Sequence, residues 1–188
     1  MPIHQPNRPS GIAVSLWMSA ALSVYALMML ITLARLLEMS GGIAVFDMMP
    51  TGYDAEYASN LLAALGSDGR NYYLWRQIPL DFIYPALFGI SFFMLSTWLA
   101  GKLPAFQRIL RLSAIVALAA GVFDYVENIF IILMLRNYPD LSEVLVLAAS
   151  IATLTKSGLT MIYFTVLIVV LLVRFFQLTF SSRSPGTN

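Results

Sequence analysis

Four long apolar runs, at about 11–37, 78–100, 112–135 and 144–173, decide what this 188-residue chain can fold into. Each reaches the roughly 20 residues that a helix needs to cross the hydrocarbon core of a bilayer. Inside that core every backbone N–H and C=O must be satisfied by the protein itself, which leaves helices and closed barrels. The short alternating pattern of a barrel strand appears nowhere in the chain. Only 11% of residues are charged, against about 25% in a soluble domain. The sequence therefore predicts an all-α integral membrane protein, a single domain over 1–188 built as a four-transmembrane-helix bundle. The first run is longer than the roughly 7–15 residues of a signal-peptide core. No small-x-small cleavage site follows it before Glu38, so it reads as a retained helix.

What the chain lacks removes several chemistries. It has no cysteine, so disulfides, thiol relays and thiolate metal sites are excluded. Its one histidine, His4, lies in the polar N-terminal tail, which leaves no haem ligand, histidine-rich metal centre or histidine-assisted nucleophile. No metal set and no cofactor fingerprint appears. The net charge of +1 comes without a basic cluster, so nucleic acid is not a partner.

Basic residues near the span ends set orientation. Arg8, Lys102, Arg108, Arg111, Arg174 and Arg183 fall on one side, six against the four of Arg35, Arg70, Arg76 and Arg136 on the other. Both termini are thus expected in the cytoplasm, with the connection 38–77 outside. That connection is too long for a turn and is expected to hold structure of its own. Thr51 through Asp54 resembles a helix cap, Tyr53, Tyr57, Leu61 and Leu65 recur at helical spacing, and Gly66 ends the pattern. An amphipathic extracytoplasmic helix from about Gly52 to Leu65 is expected, followed by a turn at Ser67–Gly69. Tyr72, Tyr73 and Trp75 then suit an interfacial aromatic belt. Ser15, Ser19 and Ser23 form a small-residue stripe suited to close helix packing. The tail, about 181–188, reads as disordered.

The third run carries the chemistry. In GVFDYVENIFIILML, Asp124, Glu127 and Asn128 share one helical face. A charge near the bilayer centre costs about 2.5–3.5 kcal/mol even on mild insertion scales, so that face must turn inward. In the second run, PLDFIYP places Pro85 four residues after Asp81; proline lacks the N–H that the Asp81 carbonyl would accept. Tyr84 lies one turn from Asp81. In the fourth run Thr153, Lys156, Thr160 and Tyr163 share a face, and Lys156 is the only cation well inside a span. Its simplest partner is Glu127 or Asp124. Three acids then face one lysine, which points to a held proton or a bound cation unless Arg70 or Arg76 folds inward. By depth, the site lies in the outer half, opening outward beneath the connection.

The pattern GYD, LLAALGSDGRNYY, LDFIYP and FDYVEN, spanning about Gly52 to Arg136, resembles a family of small bacterial four-span integral membrane proteins. The resemblance implies the four-span architecture and a bacterial inner membrane, and brings no activity with it. Four helices around inward acids are also similar in architecture to the EXPERA-type sterol isomerases, whose histidine and tryptophan positions have no counterpart here.

The expected function is binding of a membrane lipid or apolar small molecule in an outward-opening polar pocket, with isomerase-like proton transfer as the chemistry such a site can support. In that reading Glu127 is the acid or base, Asp124 its coupled partner and Lys156 the counter-charge. Asn128, Asp81, Tyr84, Arg70, Arg76, Thr160 and Tyr163 contact the ligand. Two alternatives stay open: a proton- or cation-coupled transporter, which would need a homo-oligomer to form a pathway, and a non-catalytic assembly subunit of a larger membrane complex.

Overall fold

A computed structural model describes residues 9–181. Helix α1, Gly11–Leu27, passes through a π-turn, Met28–Thr32, into α2, Leu33–Met39. A 3₁₀ turn at Phe46–Met48 leads to α3, Ala55–Tyr72, and a second π-turn, Tyr73–Gln77, joins α3 to α4, Ile78–Lys102. After a 3₁₀ turn at Pro104–Phe106 come α5, Gln107–Asn137, and α6, Glu143–Ser181. No strand occurs among the described residues. Four helical segments, Gly11–Met39, Ala55–Lys102, Pro104–Asn137 and Glu143–Thr179, are long and apolar enough to cross a membrane.

Helix α5 is the axis of the bundle, packed on α4 along one side and α6 along the other, with α1 against the far side of α4. Its buried residues explain why. Leu110, Ser113, Ala114, Ala117, Ala120 and Gly121 continue into Asp124, Glu127, Asn128, Ile131, Met134 and Leu135 at helical spacing. The first half is small, so neighbours come close. A Cβ on Gly121 would lie 2.8 Å from the Pro85 carbonyl oxygen, so at this crossing only glycine fits. The second half carries the polar face and then large apolar side chains.

The end bearing α2 and α3, here the top, holds the main core. Leu36, Val45, Phe46, Ala58, Leu61, Leu62 and Tyr73 are all fully buried there with Met134 and Ala149. The connection is thus a packed cap rather than a loose cover. Asp54 caps α3, its side chain accepting from the Tyr57 N–H at 2.8 Å; the cap expected around Thr51 lies three residues later. Gly52, at φ +79°, brings the chain against α6, where the Tyr53 N–H donates to Ser150 Oγ at 2.9 Å.

Gly66 does break α3, with φ +60° and an extended ψ of −174°. The turn expected at Ser67–Gly69 is instead helical and runs on toward α4, because a single left-handed glycine redirects the chain and leaves the next residues free to start a new helix. The belt expected at Tyr72, Tyr73 and Trp75 divides. Trp75 is 66% exposed, whereas Tyr73 is fully buried and hydrogen-bonded. The serine stripe at Ser15, Ser19 and Ser23 is exposed, and α1 instead buries the narrow seam Val14 and Ala21, continued by Met28 in the π-turn. The tail beyond Ser181, together with His4, Arg8 and Arg183, lies outside the described residues.

Candidate functional site

Since α1 packs on α4 while α6 packs on α5, a gap remains between α1 and α6. It holds a cavity of about 520 Å³. Its walls are Tyr25, Met28, Met29 and Leu33 from α1 and the following helix, and Tyr84, Phe88, Ala120, Thr160 and Met161 from the others. Beyond the cavity lining, Phe88 continues into a tilted and edge-to-face aromatic cluster with Phe92 and Phe164. Asp47, Met48 and Pro50 from the cap close the top, while Asp81, Asp124 and Lys156 supply the polar end. The exposed liners are Tyr25, Met161 and Pro50, so the mouth is the side gap between α1 and α6 under the cap.

The polar end is built from α5 outward. Lys156 Nζ lies 3.2 Å from Asp124 Oδ1 and forms a second ion pair with Glu127 Oε2. Glu127 is fully buried, and its Oε1 accepts from the Thr153 hydroxyl at 2.6 Å. Both acids of α5 therefore share one ammonium, and Lys156 is paired twice. Glu127 sits behind the cavity wall, while Asp124 and Lys156 line it.

Asn128 has a different task from the one expected of it. Its Nδ2 donates to the backbone carbonyl of Asp81 at 2.7 Å, the very oxygen that Pro85 deprives of its helical N–H. The Tyr125 hydroxyl serves the next carbonyl, that of Phe82, at 2.8 Å. Helix α4 is thus stitched to α5 at its proline, and Gly121 permits the approach. The consequence is that Asn128 positions Asp81 without lining the cavity.

Asp81 is 3% exposed and lines the cavity, with its Oδ2 lacking any hydrogen-bond partner. Opposite it stands Asp47, held by the Tyr73 hydroxyl, which donates to Asp47 Oδ2. Asp47 Oδ1 is likewise buried and unpartnered. The two π-turns meet beside this pair, where the Thr32 hydroxyl donates to Gln77 Oε1. Their wider backbone turns are a common feature of functional helices. From the cap, the buried Tyr53 hydroxyl lies near Thr153 and Glu127. Burial raises its pKa above that of free tyrosine, so it remains a proton donor.

Besides Asn128, three more expected ligand contacts fall elsewhere. Arg70 donates to the Leu62 carbonyl at 2.7 Å and stacks 4.4 Å over the Tyr138 ring, which ties α3 to α5. Arg76 is exposed. Neither lines the cavity. Tyr163 shares the face of Lys156 but lies seven residues on, about 10 Å along the axis. There it joins Ser96 at 3.0 Å and the Phe92 carbonyl at 3.2 Å, with Ser113 behind Ser96, in a fully buried hydroxyl cluster. Thr160, Tyr84 and Asp81 do line the cavity.

Sequence reasoning passed over Asp47, Tyr53 and Tyr73. Asp47 carried a signal, being a lone acid in the apolar run IAVFDMMP; the two tyrosines carried none that separates them from belt residues. Among the described residues, no group of three or more carboxylates or imidazoles is placed to hold a metal ion. Compared with known protein families, curated proteins and solved structures, the chain matches none. The geometry alone carries the functional reading.

Proposed function

We propose that this protein sits in the bacterial inner membrane with both termini cytoplasmic and α3 outside, and binds a lipid-like or apolar small molecule that enters sideways between α1 and α6. The observation that carries the reading is the cavity itself: about 520 Å³, apolar along its walls and acidic at one end. That volume lies within the roughly 300–1,000 Å³ of small-molecule sites, which combine apolar walls with a few convergent polar groups. The gap between α1 and α6 lies along the side of the helices, so an apolar molecule could pass in from lipid without crossing water.

The arrangement also supports proton transfer. Asp124 and Lys156 reach the cavity, Glu127 buffers their charge from behind, and Thr153 fixes the Glu127 carboxyl. A proton taken up by Asp124 would bring this trio from a net charge of −1 to zero, leaving Lys156 paired with Glu127 alone. A purely structural network would satisfy all its members. Here Asp81 and Asp47, which both line the cavity, each keep an oxygen without a partner, which favours a site that receives something.

Native mass spectrometry from mild detergent tests this reading. A small molecule retained by the monomer is expected; a stable partner chain with no small molecule would favour the assembly-subunit alternative and overturn it.

A further inference from the structure

The cavity's charge is not balanced at its upper end. Four carboxyls, Asp47, Asp81, Asp124 and Glu127, converge on one ammonium, Lys156. Lys156 is committed to Asp124 and Glu127. That leaves Asp47 and Asp81 without a counter-charge. Arg70 is spent on the Leu62 carbonyl and the Tyr138 ring, and Arg76 is exposed. Tyr73 gives Asp47 one hydrogen bond, and Asp47 and Asp81 lie within hydrogen-bonding reach of each other, but Asp47 Oδ1 and Asp81 Oδ2 have no partner. Asp81 is itself 3% exposed, so bulk water does not serve it.

We infer that the ligand is an alkyl amine: its protonated nitrogen seats against the open oxygens of Asp47 and Asp81, and its chain runs down the cavity past Met28, Met29 and Phe88. This deepens the proposed function and rests on its apolar-ligand reading. An ammonium carries three donors, which matches two carboxyls with open acceptor positions. Tyr25 and Tyr84, whose rings stand 5.5 Å apart at the cavity wall, add faces over which a cation is favoured. A fatty acid would place a fifth carboxylate against this group and is disfavoured. An alcohol fits the walls but brings no charge. If instead Asp47 and Asp81 shared a proton between themselves, alcohol and amine would bind alike.

The test uses the full-length protein in phosphatidylcholine nanodiscs at neutral pH. It compares dodecylamine, 1-dodecanol and dodecanoate as competitors for the retained molecule, read by native mass spectrometry. Dodecylamine is expected to compete at least about tenfold better than dodecanol, with dodecanoate weakest. Asp81→Asn, which keeps the backbone carbonyl for Asn128, is expected to erase the amine preference while dodecanol competition persists. Should Asp81→Asn fail to fold, Asp47→Asn is read in its place with the same expectation. Equal competition by amine and alcohol in the wild type would overturn the inference and leave the apolar-pocket reading standing. So would an amine preference that survives the substitution. If none of the three competes, both readings fall.

Discussion

Replacing Asn128 by alanine removes the one side chain that serves the Asp81 carbonyl, and its cost depends on Pro85. The Asn128 Oδ1 has no partner, so the 2.7 Å bond from Nδ2 is what the truncation deletes. A buried carbonyl left alone costs about 1–3 kcal/mol in general. Hydrogen bonds between membrane helices couple more weakly, about 0.6 kcal/mol on average and about 1.7 at most, because the unfolded reference in a bilayer also finds partners. The lower scale applies to a residue 9 positions from the end of α5, so a loss of about 1 kcal/mol is expected. In the Pro85→Ala background the new N–H at 85 can reach the Asp81 carbonyl, and Asn128→Ala should then cost almost nothing. The assay is equilibrium unfolding in mixed micelles of the wild type, both single variants and the double. A coupling of about 1 kcal/mol is the expected result; additivity within about 0.5 kcal/mol would refute the claim that Asn128 replaces the bond Pro85 removes.

Three further outcomes follow from the same geometry. Lys156→Met strands the Asp124 and Glu127 carboxyls together and should destabilise by about 3–5 kcal/mol, whereas Glu127→Gln leaves Lys156 its Asp124 partner and should cost less; thermal unfolding of the pair and of their double variant checks the order. Gly121→Ala forces a Cβ to 2.8 Å from the Pro85 carbonyl oxygen and should cost about 1–3 kcal/mol, while Gly158→Ala, with no atom within 4 Å of its added Cβ, should be neutral or stabilising by unfolding midpoint. For orientation, Ser67→Cys should react with an impermeant thiol reagent in intact cells and Ala105→Cys should not; the reverse pattern would invert the topology.

The helices were legible because bilayer thickness imposes a length and α5 carries its buried face at strict helical spacing. Asp124, Glu127 and Asn128 announced themselves for the same reason: polar groups in an apolar run have few places to go. Their partners were harder. Asn128 and Glu127 look alike in sequence, yet one serves a backbone defect on α4 and the other a lysine on α6; only the crossing at Gly121 and Pro85 separates those tasks. Tyr163 shares the face of Lys156, but periodicity gives direction around a helix and is silent about which neighbour lies one or two turns along it. The cap hid most. Asp47 reaches the cavity because Tyr73 and the packed connection aim it there, a long-range arrangement that local spacing does not encode. The same packing holds Arg70 against Leu62 and Tyr138, away from the acids it could have balanced.

The central claim is that the space between α1 and α6 holds a ligand. Thr160 lines that space from α6 and is only partly buried, so Thr160→Phe fills the cavity without entering the tight α4–α5 crossing. Native mass spectrometry of the two proteins, purified side by side in the same mild detergent, tests the claim directly. The wild type is expected to carry a small molecule that Thr160→Phe lacks, with both unfolding cooperatively at similar temperatures. The same molecule retained equally by the filled variant, or none retained by the wild type, would contradict the account.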